Sequence, residues 1–81
     1  MNNIVISWNF VYLMLKSWRP KYLYQDQTEI DFRLSNGTVV ELKIHDEPLF
    51  AKQAKMFLGF DENHRHIVRS YQSVQELLFN S

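Results

Sequence analysis

The sequence predicts a small α+β domain in which an antiparallel sheet of about three strands packs with three helices. Apolar and polar residues alternate on both sides of an Asn36-Gly37 turn, and helical periodicity with capping signals stands before and after that segment. The expected order is α-β-β-α-β-α, with a β-hairpin over 28–45 and a further strand near 65–71. With 81 residues, the chain (1–81) is expected to form a single compact domain.

The first helix is predicted at about 7–18. Ser7 is a candidate N-cap, and Pro20 stops the helix from continuing. One helical stripe carries large apolar residues, namely Trp8, Val11, Tyr12, Leu15 and Trp18. The opposite side is apolar as well, which is typical of a helix covered on more than one face. A strand over 4–8 is the alternative, because β-branched residues dominate there.

The hairpin is predicted from strict alternation. Ile30, Phe32 and Leu34 are expected on one face of the first strand, with Glu29, Asp31 and Arg33 on the other. After the turn, Val40, Leu42 and Ile44 alternate in the same way with Glu41, Lys43 and His45. The sheet is therefore expected to have one apolar and one polar face.

Two registers fit this hairpin. A three-residue loop over 35–37 places Gly37 at a left-handed bulge position, sets Phe32 against Val40 and sets Ile30 against Leu42. A shift by two residues opposes Phe32 to Leu42 instead, and adds the charge pairs Arg33–Glu41 and Asp31–Lys43. Both registers keep one apolar face, so the pattern leaves them open.

Two further helices are predicted at about 48–58 and 73–80. The first would begin at Asp46-Glu47-Pro48 and end at a left-handed Gly59, and the second has the capping-box signature Ser73-Val74-Gln75-Glu76. In the strand near 65–71, either Ile67 and Tyr71 or His66 and Val68 face inward.

Composition restricts the chemistry. The chain has no cysteine, which excludes disulfides and thiolate metal sites and favours the cytoplasm. His45, His64 and His66 lack an evident third or fourth metal ligand partner, and Asp46 and Glu47 beside His45 are explained by helix capping. With two glycines in all and no phosphate-binding loop, we expect no enzyme activity, no metal and no cofactor.

The leading functional expectation is a non-enzymatic protein–protein interaction module. More aromatic surface is present near the first helix than one small sheet can cover, and such patches mark partner sites. The candidate partner-binding residues are Trp8, Tyr12, Trp18, Tyr22 and Tyr24. A stand-alone regulator or inhibitor of antitoxin, immunity or phage-encoded anti-defence type fits this description, and a homodimer is one form that it could take.

The alternative is a small nucleic-acid-binding protein with a basic-aromatic face made of Lys52, Lys55, Arg65, Arg69 and Tyr71. A net charge of zero counts against nucleic acid as a partner. The apolar segment 4–18 is shorter than a bilayer span, so no membrane is expected.

Overall fold

The computed structural model describes residues 7–43 and 47–79 of the chain. Its helices and strands are, in chain order, α1 (Trp8–Leu15), β1 (Lys21–Gln25), β2 (Thr28–Arg33), β3 (Val39–Leu42), α2 (Ala51–Phe57), β4 (Arg65–Val68) and α3 (Tyr71–Phe79). Short 3-10 turns follow α1 at Lys16–Trp18 and precede β4 at Glu62–His64. The predicted α+β class is confirmed.

The sheet has four strands in the order β1-β2-β3-β4. The first three form an antiparallel meander, but β4 runs parallel to β3, with Val39 opposite Arg65 and Leu42 opposite Val68. The prediction of a purely antiparallel sheet is therefore wrong. Parallel neighbours need a crossover connection, and α2 lies in the connection between β3 and β4.

Strand β1 was not predicted, because its turn carries no glycine. Gln25 pairs with Thr28 across the two-residue turn Asp26-Gln27, and both turn residues are left-handed, with φ of 52° and 61°. Two left-handed central residues are the requirement of a type I′ hairpin turn, for which Asn-Gly is the usual sequence signal.

Helices cover both faces of the sheet, which gives three layers. On one face, α1 and α3 pack around Phe32, Val40 and Val68, and on the other face α2 packs through Phe57 onto Ile30 and Val39. The neighbouring residues Val39 and Val40 are both fully buried because each faces a different helical layer. The expected polar face of the sheet is thus covered by a helix.

The hairpin register is the first of the two predicted registers. Phe32 lies opposite Val40, Arg33 lies opposite Val39, and Gly37 has a φ of +90°. The expected pairing of Ile30 with Leu42 on one face is wrong, because Ile30 packs on the α2 side while Leu42 packs with Phe32 on the other. A bulge in β2 causes this change of face, as described below.

The first two helices differ in how well their limits were predicted. The helix over α1 and its 3-10 turn matches the prediction, and the Ser7 hydroxyl accepts a hydrogen bond from the Phe10 N–H. The alternative prediction was a strand over 4–8. Residues 4–6 lie outside the described residues, and Trp8 is helical. Helix α2 begins at Ala51 rather than at 48, and the proposed cap Asp46 lies outside the described residues.

The predicted end of α2 and the predicted start of α3 are also wrong. Gly59 is not left-handed; its N–H donates to the Met56 carbonyl, and a Cβ at Gly59 would meet that oxygen at 3.2 Å. Helix α3 begins at Tyr71, and the Ser70 hydroxyl accepts from the Ser73 N–H, so the cap lies three residues before the predicted one. Because Tyr71 is helical, β4 ends at Val68.

No helix in residues 7–43 and 47–79 is long and apolar enough to cross a bilayer.

Replacing Gln27 with glycine is expected to raise the free energy of unfolding by about 1 kcal/mol, because a side chain in a left-handed conformation costs roughly that much. Urea unfolding followed by tryptophan fluorescence measures the change. Ser35→Gly is the matched control, since Ser35 is an exposed turn residue without a positive φ, and it should give no gain. Equal effects of the two substitutions would show that the Asp26-Gln27 turn stores no strain.

Candidate functional site

The candidate site begins at a bulge in β2. Lys21 pairs with Arg33 and Leu23 pairs with Ile30, so β2 holds one residue more than β1 between these two pairs. Bulges of this kind redirect side chains and are frequent near functional sites. Here the bulge accompanies a change of face: Ile30 packs on the α2 side of the sheet, although Phe32, two residues away, packs on the opposite side.

Two carboxylates bridge β2 and β3 beside the bulge. The Asp31 N–H donates to Glu41 Oε1 at 2.9 Å, and the Leu42 N–H donates to Asp31 Oδ2 at 2.9 Å. The backbone pairing of the two strands covers Phe32 with Val40 and Arg33 with Val39. In a regular ladder, carbonyl oxygens would accept the next backbone N–H groups. Here the carboxylate oxygens of Asp31 and Glu41 accept them instead.

Two more polar side chains complete the group. Gln53 on α2 donates to Glu41 Oε2 at 3.0 Å, and Lys43 Nζ lies 3.6 Å from the same oxygen. Glu41, Lys43 and Gln53 are all buried, with 5%, 4% and 7% of their surface exposed. We call Asp31, Glu41, Lys43 and Gln53 the carboxylate cluster.

Helix α2 is tied to the cluster through Gln53. Its amide nitrogen also donates to the Glu29 carbonyl at 2.9 Å, and its Oε1 accepts from the Phe50 N–H at 3.1 Å. Lys43 Nζ lies 4.4 Å from the centre of the Phe50 ring, which is a cation–π contact. Among the described residues, every buried side-chain nitrogen and oxygen has a hydrogen-bond partner.

The charges of the cluster are not balanced. Burial raises the pKa of Glu41 to about 7, and the nearby charge of Asp31 also raises it, while the Asp31 N–H, Lys43 and Gln53 oppose the shift. The ammonium group of Lys43 pairs with Glu41. Because the pKa of Glu41 lies near 7, this carboxyl is partly protonated at neutral pH, and the cluster carries one excess negative charge when Glu41 is ionised.

A cleft opens beside the cluster. Two adjoining cavities of about 430 and 520 Å³ share Thr28 and Lys52 in their linings. The smaller cavity is lined by Tyr24, Gln27, Thr28, Glu29, Phe50, Ala51, Lys52 and Gln53, and Gln53 joins it to the cluster. The larger continues past Lys55 to Phe60. We call these two cavities together the α2 cleft.

The five predicted partner-binding residues lie on two parts of the fold. Trp8 is 43% exposed and stacks on Tyr12 and Phe32, while Tyr12 and Trp18 are partly buried against the core. Tyr22 and Tyr24 are exposed on β1. The exposed side of α1 also carries Phe10, Leu13 and Met14, and Leu13 is 63% exposed.

The five residues of the alternative basic-aromatic face are also separated. Lys52 and Lys55 line the α2 cleft. Arg65 donates to the carbonyls of Phe57 and Phe60, and Arg69 donates to the carbonyl of Glu47. Tyr71 packs edge-on against Phe10 on the other side of the sheet. The structure therefore brings together the two lysines of this set.

The two described histidines, His64 and His66, belong to no metal-binding group. His64 Nδ1 lies 3.9 Å from an Asp61 oxygen, burial lowers the pKa of His66, and His45 lies outside the described residues. Within residues 7–43 and 47–79, no group of three or more His, Cys, Asp or Glu could hold a metal ion. A cation at the carboxylate cluster would therefore rest on two carboxylates.

Comparison with known proteins gives no relative from which to infer a function, because no family model, curated protein or solved structure matches the chain.

Sequence reasoning missed the carboxylate cluster, because it placed Asp31, Glu41 and Lys43 on a solvated face. A signal was present: Glu41 and Lys43 alternate with aliphatic residues in a segment that follows two consecutive valines. Consecutive valines are typical of a strand buried on both faces, where a charged residue needs a partner.

The free energy of unfolding is expected to fall as the pH rises from about 4.5 to about 7, because the folded state favours the neutral form of Glu41. The loss should be on the order of a few kcal/mol, since each pKa unit corresponds to about 1.4 kcal/mol. Urea unfolding at a series of pH values measures it. Subtracting the Glu41→Gln profile isolates this group, and parallel profiles for the two proteins would contradict the prediction.

Proposed function

We propose that the protein is a hydrolase that uses a divalent cation to cleave phosphodiester bonds in nucleic acid. The observation that carries the proposal is the carboxylate cluster: a bulge and a Glu-x-Lys strand bring two carboxylates and an ammonium group to one covered position. The cluster adjoins an open cleft, which suits a polymeric substrate better than an enclosed small molecule.

The donor set suits Mg²⁺ or Mn²⁺. Mg²⁺ is commonly bound by one or two carboxylates, with water and substrate phosphate oxygens completing the six ligands. Asp31 and Glu41 supply such a pair. The excess negative charge of the cluster favours a divalent cation, which would displace the proton held near Glu41.

Lys43 supplies a positive charge, which assists the hydrolysis of a phosphodiester. When water attacks the phosphorus atom, a new P–O bond forms, the bond to the leaving sugar oxygen breaks, and that oxygen takes a proton. Negative charge grows on the phosphate oxygens during this step, and a fixed ammonium group stabilises it. Lys43 is suited to the role because Glu41 and the Phe50 ring hold its Nζ in place.

Cleavage of labelled oligonucleotides tests the proposal. The chain is expected to cut in the presence of Mg²⁺ or Mn²⁺ and to be inactive in EDTA. Asp31→Asn, Glu41→Gln and Lys43→Met should each lower the rate by about 100-fold or more, as expected when one transition-state contact is lost.

Glu62→Gln is the matched control, since it removes an exposed carboxylate outside the cluster and should leave the rate unchanged. Parallel purification of all variants excludes a contaminating nuclease. Calorimetry of Mg²⁺ and Mn²⁺ binding to the unsubstituted chain gives an answer that does not depend on how the variants fold. Absence of cleavage, or absence of cation binding, would overturn the proposal.

A second function, docking on another protein, is favoured by the exposed side of α1. Phe10, Leu13 and Met14 form an uncharged surface there, and exposed apolar patches mark partner sites. The sequence predicts an interaction module as well, but through other residues, and of those Trp8 is exposed on α1. A regulator or inhibitor would use such a surface. A cytoplasmic location fits either function, because the chain has no cysteine.

Light scattering tests the self-associating form of this second function. If α1 pairs with a second copy, the unsubstituted chain should be dimeric and Leu13→Glu monomeric, because a buried unpaired charge opposes association. Gln75→Glu, at an exposed position of α3, is the control and should leave the dimer intact. A monomer at all concentrations would exclude pairing through α1.

A further inference from the structure

We infer that the α2 cleft binds single-stranded nucleic acid, with bases stacked on exposed aromatic rings and phosphates beside Lys52 and Lys55. The inference rests on the proposed function, to which it adds the form of the substrate. It depends on the position of the cleft, on the aromatic side chains beside it and on the balance of charges in its lining.

The position of the cleft connects it to the proposed chemistry. Gln53 donates to Glu41 and also lines the smaller cavity, so a chain lying in the cleft would meet the cluster at Gln53. Lys52 lines both cavities and Lys55 lines the larger one. The two lysines are three residues apart on α2 and therefore lie on neighbouring positions of one helix side.

Two aromatic residues line the smaller cavity. Phe50 is 66% exposed and Tyr24 is 61% exposed. Lys43 Nζ lies 4.4 Å from the centre of the Phe50 ring, so this ring lies beside the cluster. Aromatic rings bind unpaired bases by stacking, whereas the bases of a duplex are already stacked on each other.

The charge of the cleft favours the same form of substrate. Lys52 and Lys55 share the cleft with Asp26 and Glu29, so the lining carries no net positive charge. Duplex binding without sequence readout depends on many phosphate contacts, which this lining cannot make. Stacking must then provide most of the affinity, and stacking needs unpaired bases.

Fluorescence anisotropy of labelled oligonucleotides in EDTA tests the inference without requiring cleavage. Oligothymidylate and single-stranded RNA are the two probes, and a duplex of the same length is the comparison. The single strands should bind at least tenfold more tightly than the duplex. Phe50→Ala and Tyr24→Ala should each weaken single-strand binding by about fivefold or more.

The two lysines are tested through salt dependence. Each phosphate contact to a single strand contributes a slope of roughly 0.7 to the fall of log affinity with log salt concentration. The double variant Lys52→Gln, Lys55→Gln should therefore flatten the slope by roughly 1.4. The control pair Lys16→Gln, Lys21→Gln removes the same charge from exposed positions that do not line the cleft and should leave the slope unchanged.

Phe79→Ala is the control for the aromatic variants, because Phe79 is exposed on α3 and does not line the cleft. Duplex binding as tight as single-strand binding, or equal effects of Phe50→Ala and Phe79→Ala, would overturn the inference. These outcomes also separate the two proposals.

Binding of single strands in EDTA without any cleavage would support the cleft assignment and reject the hydrolase. Cation-dependent cleavage that the cleft variants leave unchanged would support the hydrolase and reject the cleft assignment.

Discussion

The fold depends on two hydrogen bonds in which carboxylate oxygens stand between neighbouring strands. Asp31 and Glu41 each accept a backbone N–H that a regular antiparallel ladder would give to a carbonyl oxygen. This exchange accompanies the extra residue in β2, and the extra residue moves Ile30 to the α2 side. Without Ile30 there, Phe57 of α2 would lose one of its two buried partners in the sheet.

Stability alone does not explain such an arrangement. Burying two carboxylates and an ammonium group costs solvation energy that their attraction only partly returns, and well-packed apolar residues often serve as well or better. Burial raises the pKa of Glu41 to about 7 even though the Asp31 N–H, Lys43 and Gln53 oppose the shift. The cluster therefore fixes how β2 and β3 pair at a cost in solvation energy, and the proposed cation site gives a reason for that cost.

Local signals in the sequence predicted the local parts of the structure. Asn36-Gly37 predicted the hairpin but left its register open between two pairings, and Ser7 and Pro20 bracketed the first helical segment. The parallel pairing of β4 with β3 and the packing of α2 on the second face of the sheet depend on contacts between residues distant in sequence. The periodicity of apolar residues does not predict such contacts. The candidate site was missed for that same reason: Glu41 alternates with apolar neighbours whether its face meets water or α2, and only the packing of α2 makes it buried.

Helix α2 links the charge of the cluster to the shape of the cleft. It has seven residues, too few to be stable alone, and it is held by polar contacts at both ends. Gln53 joins its first turn to Glu41, and Arg65 donates to the carbonyls of Phe57 and Phe60 at its other end. Because Gln53 donates to Glu41 Oε2 and also lines the smaller cavity, one side chain links the charge state of Glu41 to this wall of the cleft.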